Sequence, residues 1–322
     1  NLVSSEHSKN VALQCEYEKK DNKTGQTLGI LKIEKPIEVL FEGLDLDKYY
    51  KKPSKSNILK DIHEDFCFLF TGHWLPGKFG ESRKNTALLI HTFLDTFKGS
   101  LKKKPALILK TNHVDYSIMD REEVIKKINK IKNKFPSNTK LPNIYLIHGE
   151  ITDEEMNQLN NDPKVKSFVS FTKGEGYGRP LAEAAITGKP VITSNWSGHI
   201  DFIKPDYNIL VGGDLKNVDK SAANKWILTD SMWFNINVDI ANRAMKDVFK
   251  NYKGYFEKSR KQTQYLKDNF SFNKMAEKLD NLLPKVEAAP QMQTLNLPKL
   301  KKVESKPELP KLKLPKLNKI EA

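Results

Sequence analysis

The sequence lacks any apolar run close to the roughly 20 residues that cross a bilayer as a helix. It has two cysteines, Cys15 and Cys67, which are too few for a disulfide framework and are not spaced as metal ligands. We therefore expect a reduced, cytoplasmic protein. The start, NLVSSEHSKN, has neither an initiator methionine nor a signal-peptide pattern, so we interpret the natural N-terminus as missing.

Two common site motifs are also absent from the sequence. No GxxxxGK[ST] phosphate loop occurs, which argues against a P-loop nucleotidase. The seven histidines are scattered, and no His, Cys and Asp residues stand at metal-ligand spacing, so we predict no metal site. We interpret one of these histidines, His199, as a residue of a helix start rather than of a functional site.

The composition is that of a globular chain with a basic bias. The chain has 322 residues, of which 38% are hydrophobic and 29% charged, and its formal net charge is +14. This length fits two ordinary domains or one large one. The positive charge fits an anionic partner, such as nucleic acid, an anionic membrane surface or nucleotide phosphates, and it equally fits a lysine-rich solvated surface.

Short β-prone runs alternate with helical patterns between Phe66 and Gly213. This order predicts an α/β fold, a Rossmann-like parallel sheet with helices on both faces. Thr152 and Glu155 form a capping-box pattern, and Asp120 marks a second helix start. The predicted strands are CFLFTG (67–72), ALILK (106–110), NIYLIHG (143–149), SFVSF (167–171), PVITS (190–194) and NILVGG (208–213).

The flanking segments have a different character from this central pattern. Residues 1–60 contain no self-sufficient core, and from about Ala222 to Leu283 strands give way to two or three helices with a break at 271–273. Frequent prolines predict a disordered or extended tail over 284–322. Its repeated unit LPKL, at 297–300, 309–312 and 314–317, fits either a solvated tail or a docking segment for a partner.

The stretch KGEGYGRPLAEAAITGKPVIT, residues 173–193, predicts an anion site. Glycines 174, 176 and 178 allow a ligand to approach the backbone closely. Pro180 suits the first turn of a helix, whose N-terminal amides would face the loop and favour a diphosphate. The same glycines also fit an ordinary turn before a helix, so spacing alone leaves both interpretations open.

Two carboxylates and two cations complete this candidate site. Glu175 in the loop and Glu183 one turn into the helix can both point toward one crevice, where they would bind the vicinal hydroxyls of a nucleotide sugar. Arg83 and Lys84 end the loop after the first strand of the pattern, and they would balance the diphosphate charge. The alternatives are a helix-capping acid and an exposed basic turn.

The residues EGYGRPLAE resemble the E-x7-E signature of retaining, group-1 glycosyltransferases with the GT-B fold. That family usually has E-G-F-G-x-P-x-x-E followed by A-x-A-x-G-x-P-V-I, and this chain has EGYGRPLAEAAITGKPVIT. The resemblance covers about residues 1–280 and implies the C-terminal, donor-binding half of a GT-B fold. Further similar segments are SSEHSKN (4–10), FEGLD (41–45), GEITDEEMNQL (149–159) and SGHIDFI (197–203).

The resemblance implies a role for each matching residue. Glu175 binds the hydroxyls of the donor sugar, Glu183 binds the ribose, and Lys84 binds phosphate. The amides of Gly176, Tyr177 and Gly178 hold the diphosphate, and backbone groups near Glu150 and Ile151 contact the base. No metal or other cofactor is implied.

The sequence departs from the family pattern at three positions. The family's second cation, an arginine, would stand at His73, and Arg83 is the candidate to replace it. We therefore expect Glu175, Lys84 and Arg83 to form the catalytic set, with His73 among the donor-binding residues. Ser197 replaces a glycine and Asp201 replaces a glutamate, which are milder departures.

These implications give a domain plan and a function. Residues 1–60 would be the remnant of an acceptor domain and its connector, 61–215 the donor-binding domain, 216–283 C-terminal helices, and 284–322 the tail. We expect a glycosyltransferase that uses a nucleotide-diphosphate sugar and retains configuration. The acceptor would be a glycan, lipid or protein rather than nucleic acid, with the protein cytoplasmic or peripheral at a membrane surface. The alternative is a degenerate, non-catalytic binding module.

Overall fold

A parallel sheet of six strands is the centre of the fold in a computed structural model, which describes residues 1–99 and 103–283. The strands of this part are β1 (Leu2–Val3), β2 (Glu16–Lys20), β3 (Thr27–Lys32), β4 (Glu38–Val39), β5 (Cys67–Thr71), β6 (Ala106–Lys110), β7 (Ile144–Ile147), β8 (Val165–Ser170), β9 (Val191–Ser194), β10 (Ile209–Val211), β11 (Gly213–Asn217) and β12 (Met232–Ile236). The helices are α1 (Glu6–Gln14), α2 (Thr86–Phe97), α3 (Ile118–Lys132), α4 (Asp153–Asn161), α5 (Arg179–Ile186), α6 (Val238–Lys250), α7 (Tyr252–Asn269) and α8 (Phe272–Leu282).

The order of the central strands places the switch point of the sheet beside β5. The six strands lie in the order β10-β9-β8-β5-β6-β7, and each neighbouring pair is parallel. The chain runs from β5 outward to β7 and then returns to the other side of β5 with β8. Ligands of open α/β sheets bind at the carboxyl ends of the strands where this reversal occurs. The predicted α/β class and parallel sheet are confirmed.

Alternation along β5 divides the apolar interior between the two faces of the sheet. Phe68 and Phe70 point into one core, which contains residues of α2, α3 and α6. Cys67 and Leu69 point into the other core, which contains residues of α4, α5 and α7. Because successive strand residues face opposite sides, a strand covered on both faces is apolar throughout. The expected helices on both faces are therefore present.

The helix starts confirm one capping prediction and correct another. Thr152 accepts a hydrogen bond from the Glu155 amide, and the Glu155 carboxylate accepts one from the Thr152 amide, which is the expected capping box. The assignment of Asp120 as a helix start was wrong, because α3 begins earlier and Ser117 caps it. The Asp120 carboxylate instead accepts hydrogen bonds from the amides of His113 and Val114, which fixes the preceding loop to the helix.

The expectation that strands end before residue 222 was wrong. β11 and β12 form an antiparallel hairpin, and Gly213 pairs with Ile236. The strand signal is weak in β11 (GDLKN), which is exposed and polar, whereas β12 (MWFNI) contains β-prone aromatic residues. Helices α6, α7 and α8 follow, with the predicted break at Ser271, and α6 packs on α2 while α7 packs on α5. Both faces of the sheet are thus completed by C-terminal helices.

The first 60 residues form small elements beside the central sheet. β1 pairs with β4, β2 pairs with β3 as an exposed hairpin, and α1 contacts the short 3-10 helix at Gly198–Asp201. Asn1–Leu283 form one compact unit, and the finer boundaries at 60 and 215 stay predictions. In the described part of the chain, no helix is long and apolar enough to cross a membrane. The LPKL tail lies outside the described residues.

We predict that Gln262→Leu lowers the free energy of unfolding by about 3 kcal/mol, because it leaves buried partners without hydrogen bonds. The buried Gln262 amide donates to the Phe202 carbonyl (2.7 Å) and accepts from the Lys204 amide (3.0 Å) and the Asn208 side chain (2.7 Å). Urea denaturation followed by circular dichroism measures the effect. Gln264→Leu, an exposed position on the same helix, is the control, and equal losses for both variants would contradict the prediction.

Candidate functional site

Two loops meet at the carboxyl edge of the sheet, at its switch point. One follows β5 and ends at Arg83 and Lys84, just before α2. The other follows β8 and contains Gly174 to Gly178, just before α5. Because β5 and β8 are neighbours in the sheet, their following loops lie side by side. The Lys173 amide donates to the Arg83 carbonyl (2.7 Å), which joins the loops directly.

Glu175 is held between the two predicted cations. Lys84 Nζ lies 2.6 Å from Glu175 Oε1, and Arg83 lies 3.1 Å from Glu175 Oε2. Arg83 also donates to the Gly174 carbonyl (2.8 Å), and the Thr172 hydroxyl donates to Glu175 Oε1 (2.7 Å). Three of these hydrogen bonds fix the loop and its carboxylate to the end of the neighbouring loop, and the fourth, from Thr172, holds the carboxylate within its own loop.

The surroundings of Glu175 keep its carboxylate ionised. Its side chain is 9% exposed, and this burial acts to raise its pKa. The attraction of Lys84 and Arg83 and the hydrogen bonds from Lys84 and Thr172 outweigh burial, so the pKa of Glu175 lies below its ordinary value. The result is a compact cluster of two cations and one buried anion, open to a cavity that Arg83 and Glu175 both line.

The glycine loop presents free amides beside this cluster. In residues 1–99 and 103–283, no acceptor receives the backbone N–H groups of Gly176, Tyr177 and Gly178. Gly178 has a φ of 107°, a left-handed conformation that L side chains rarely adopt. This conformation turns the chain into α5, whose N-terminal end carries partial positive charge. Amides and helix end together suit an anion such as a diphosphate.

The short 3-10 helix after β9 and the residue before it hold the glycine loop by hydrogen bonds. Ser197 accepts a hydrogen bond from the Glu175 amide (2.9 Å), and the Gly198 amide donates to the Glu175 carbonyl (3.0 Å). A side chain at Gly198 would meet the Gly176 carbonyl, so only glycine fits. His199 is buried, donates through Nε2 to the Ser194 carbonyl (2.7 Å) and lies outside the cavity. Its place in this helix agrees with its interpretation as a helix residue.

Sequence reasoning missed Thr172 and Ser197 as partners of Glu175. The only signal for Ser197 was its place at a position where the resembling family has glycine. Its φ of 77° explains that preference, because the backbone there is left-handed. Thr172 gave no signal, since a threonine at the end of a strand is ordinary.

Glu183 lines a second cavity rather than the one at Glu175. This cavity of about 300 Å³ also contains Tyr49 and Asp153, while Tyr177 and Arg179 line both cavities. Burial raises the pKa of Glu183, and the neighbouring Arg179 only partly opposes it. The two acids thus stand in adjoining spaces with the start of α5 between them. The side chain of Tyr177 is buried against Phe202, so only its backbone is free to bind a ligand.

His73 and Ile151 lie together in a third cavity of about 560 Å³. Lys110, at the end of β6, also lines it and donates to the Gly149 carbonyl (2.6 Å), which holds the loop before Ile151. Among the described residues, Arg83 forms a hydrogen bond and an ion pair with Glu175, and His73 forms neither. The structure therefore groups Glu175, Arg83, Lys84 and the glycine loop, and places Glu183, His73 and Ile151 in cavities beside them.

Asp201, which replaces the family's glutamate, binds the start of α1. Its carboxylate accepts a hydrogen bond from the Glu6 amide (2.8 Å), and the Ser5 hydroxyl caps the same helix. The His7 ring in the next position lies edge-on to Trp196 with 5.0 Å between centroids. Helix α1 is therefore fixed beside the cavity of Glu175 and forms part of its wall.

Comparison with known proteins supports the fold and leaves the family open. No protein-family model matches the sequence, and no curated protein matches it. Solved structures do match. The chain is similar to a glycosyltransferase from Rickettsia africae (14% identity, TM-score 0.56, covering 87% of this chain and 62% of that one). It is also similar to sucrose-phosphate synthase from Thermosynechococcus elongatus (14%, 0.55, 87% and 56%).

A third similar structure is an Anabaena protein solved with UDP and glucose (12% identity, TM-score 0.54, covering 78% of this chain and 57% of that one). The chain thus spans between 56% and 62% of the length of these three structures. At such low identity the likeness concerns the fold. The described part of the chain has the α/β architecture of GT-B glycosyltransferases.

We predict that Glu175→Gln lowers the free energy of unfolding by about 3 kcal/mol at pH 7, because two cations lose a buried partner. The pKa of Glu175 is depressed in the folded state, so its stabilisation is complete above the ordinary value of 4.5. It declines as the pH falls through the lower folded pKa. Urea denaturation of both proteins between pH 3 and 7 should show the difference shrinking below pH 4.5. A difference that stays constant with pH would contradict this assignment.

Proposed function

We propose that this chain binds a nucleotide-diphosphate sugar and serves a glycosyltransferase reaction that retains configuration. The observation that carries the proposal is the cluster of Arg83, Glu175 and Lys84 at the switch point of a sheet with the GT-B architecture. The free amides of the loop and the start of α5 lie beside that cluster. A buried carboxylate and a cationic, amide-lined surface suit a sugar joined to a diphosphate.

The three cavities described above suit the three parts of such a donor. The base would lie by Ile151, where the resemblance implies backbone contacts, and the ribose would bind Glu183. Ile151 lines the first of these cavities, and Asp153, two residues later in the chain, lines the cavity of Glu183. Neighbouring residues of the chain therefore line the two cavities. Arg179 lines the cavities of both Glu183 and Glu175, and the diphosphate would cross there.

The proposed chemistry depends on charge that develops on the leaving diphosphate. The bond between the anomeric carbon and the diphosphate oxygen breaks as the acceptor oxygen bonds to that carbon on the same face. The acceptor proton passes to the departing diphosphate. Lys84, Arg83 and the loop amides would stabilise the negative charge as it forms, because they are already oriented in the free protein. Glu175 would position the sugar through its hydroxyls.

Arg83 is the better candidate than His73 for the second cation. Arg83 lies in the same cluster as Lys84, and a guanidinium can donate two parallel hydrogen bonds to phosphate. His73 is exposed and lines the neighbouring cavity. With two cations available for the diphosphate, we propose a reaction that needs no metal ion. A degenerate binding module, the alternative function, has no specific observation in its favour.

The proposal extends to the partners of the reaction. The acceptor would be a glycan, lipid or protein, and the protein would act in the cytoplasm or at a membrane surface. The chain spans less than two thirds of the length of the similar structures, so these partners belong to the proposal alone.

We predict that isothermal titration calorimetry detects binding of UDP or GDP, and that Glu183→Ala weakens it about 100-fold or more. The loss follows from two missing charge-assisted hydrogen bonds to ribose hydroxyls, each worth about 1.5 kcal/mol or more. Glu154→Ala, at an exposed position of α4, should leave the dissociation constant unchanged. If the unmodified protein bound no nucleoside diphosphate, the proposed function would be wrong.

A second prediction separates phosphate contacts from base and ribose contacts. Lys84→Met should weaken UDP binding about 10- to 100-fold and leave uridine binding unaffected, because the ammonium would contact the diphosphate alone. The control is Lys98→Met at the other, exposed end of α2. Competition against a fluorescent UDP analogue measures both ligands. Equal losses for uridine and UDP would show that Lys84 supports the fold and does not bind phosphate.

A further inference from the structure

The β11–β12 hairpin is attached directly to the loop that carries Glu175. The Phe234 amide donates to the Lys173 carbonyl (3.1 Å), and Lys173 Nζ donates to the Asn235 side chain (2.6 Å). The same ammonium pairs with Glu81 (3.0 Å), and the Lys173 side chain is 1% exposed. Only Gly174 separates Lys173 from Glu175 in the chain. The hairpin is therefore held against the loop of Glu175 and forms a wall of its cavity.

Aromatic rings cover the hairpin side of this cavity. The cavity measures about 820 Å³, and Trp196, Met232 and Trp233 line it together with Glu175. The Trp196 ring stacks on Phe234, with 5.9 Å between centroids and an angle of 7° between the planes. Trp196 is thus held parallel to a ring of the hairpin. Trp233 follows Met232 on the same strand, and both are accessible to solvent.

Polar side chains line the same cavity as these rings. His7 and Ser8 of α1 line the cavity, as does Glu42 from the segment before β5. In the described ranges, no lysine, arginine or histidine forms an ion pair with Glu42. Flat apolar rings alternating with hydroxyl, imidazole and carboxylate groups match a pyranose, which has an apolar C–H face and hydroxyls around its edge. A lipid chain would require a continuous apolar groove.

We propose that Trp196, Met232 and Trp233 form an acceptor subsite that binds a sugar ring of a glycan, next to the donor sugar at Glu175. This inference rests on the proposed function, because Glu175 marks the position of the reacting carbon. It assigns the acceptor to the glycan class among the three classes considered. It also places acceptor contacts within this chain, whereas the family resemblance assigns them to a preceding domain.

A printed glycan array, probed with the labelled full chain in saturating UDP, tests this subsite. Binding to at least one glycan is expected, with its affinity then measured by microscale thermophoresis. Trp233→Ala should weaken that affinity about tenfold or more, as loss of a stacked aromatic contact does at binding sites. Trp233→Phe, which keeps a ring, should recover most of it. Trp226→Ala is the matched control, because Trp226 lies between β11 and β12, is 81% exposed and does not line the cavity.

Two further measurements keep the outcomes distinct. If Trp233→Ala fails to fold by circular dichroism, Met232→Lys tests the same wall, because this position is 52% exposed and a hydrated ammonium cannot pack on a sugar face. UDP binding by the unmodified chain is measured separately. Absence of UDP binding would overturn the proposed function, whereas UDP binding without any glycan, or equal glycan affinities for the Trp233→Ala and Trp226→Ala proteins, would overturn the acceptor subsite alone.

Discussion

The ion pairs of Glu175 with Arg83 and Lys84 are the constraint around which the site is organised. Lys84 and Glu175 are 91 residues apart in sequence, and only the adjacency of β5 and β8 brings them together. A carboxylate at this depth would favour its neutral form without cations beside it. The pairing therefore makes burial of Glu175 tolerable, and in return it fixes the two loops that form the site.

The same ion pairs determine the charge of the surface that faces the cavity. Two cations share one anion, so the cluster keeps a net positive charge beside the free amides of Gly176 to Gly178. The anionic ligand proposed above would add to this charge balance without first breaking a closed ion pair. Because Ser197 and Gly198 hold the backbone of Glu175 by hydrogen bonds, the neighbouring backbone amides are oriented before a ligand binds. Such preorganisation is the main way in which polar sites lower the cost of binding and of charge development.

Much of the fold and the composition of the site could be predicted from the sequence, for physical reasons that differ by element. Strands such as β5 are buried on both faces, so their apolar runs are unambiguous, and Gly178 before α5 adopts a left-handed conformation, as a glycine at a turn can. The β11–β12 hairpin was missed because β11 is exposed and polar, so the β-prone residues of β12 had no recognisable partner strand in the sequence. Asp120 was misread because a buried acid near a helix start can bind a loop as well as cap a helix. The separation of Glu183 from Glu175 depends on how the start of α5 packs, which spacing does not encode.

Lys173 shows how the site gains its shape beyond the ion pairs of Glu175. Its buried ammonium contacts Glu81 in the loop after β5 and Asn235 in β12, while its own backbone lies in the loop after β8. One charge thus joins three segments that are distant in sequence. Desolvating an ammonium is costly, so these contacts add little to the free energy of unfolding. Their main effect is to orient the three segments relative to one another. The buried ammonium is stable only with both partners at hydrogen-bonding distance. An apolar side chain at the same place would tolerate many positions of the neighbouring segments. The buried lysine therefore helps to position the hairpin beside Glu175, together with the hydrogen bond from the Phe234 amide to the Lys173 carbonyl and the stacking of Trp196 on Phe234.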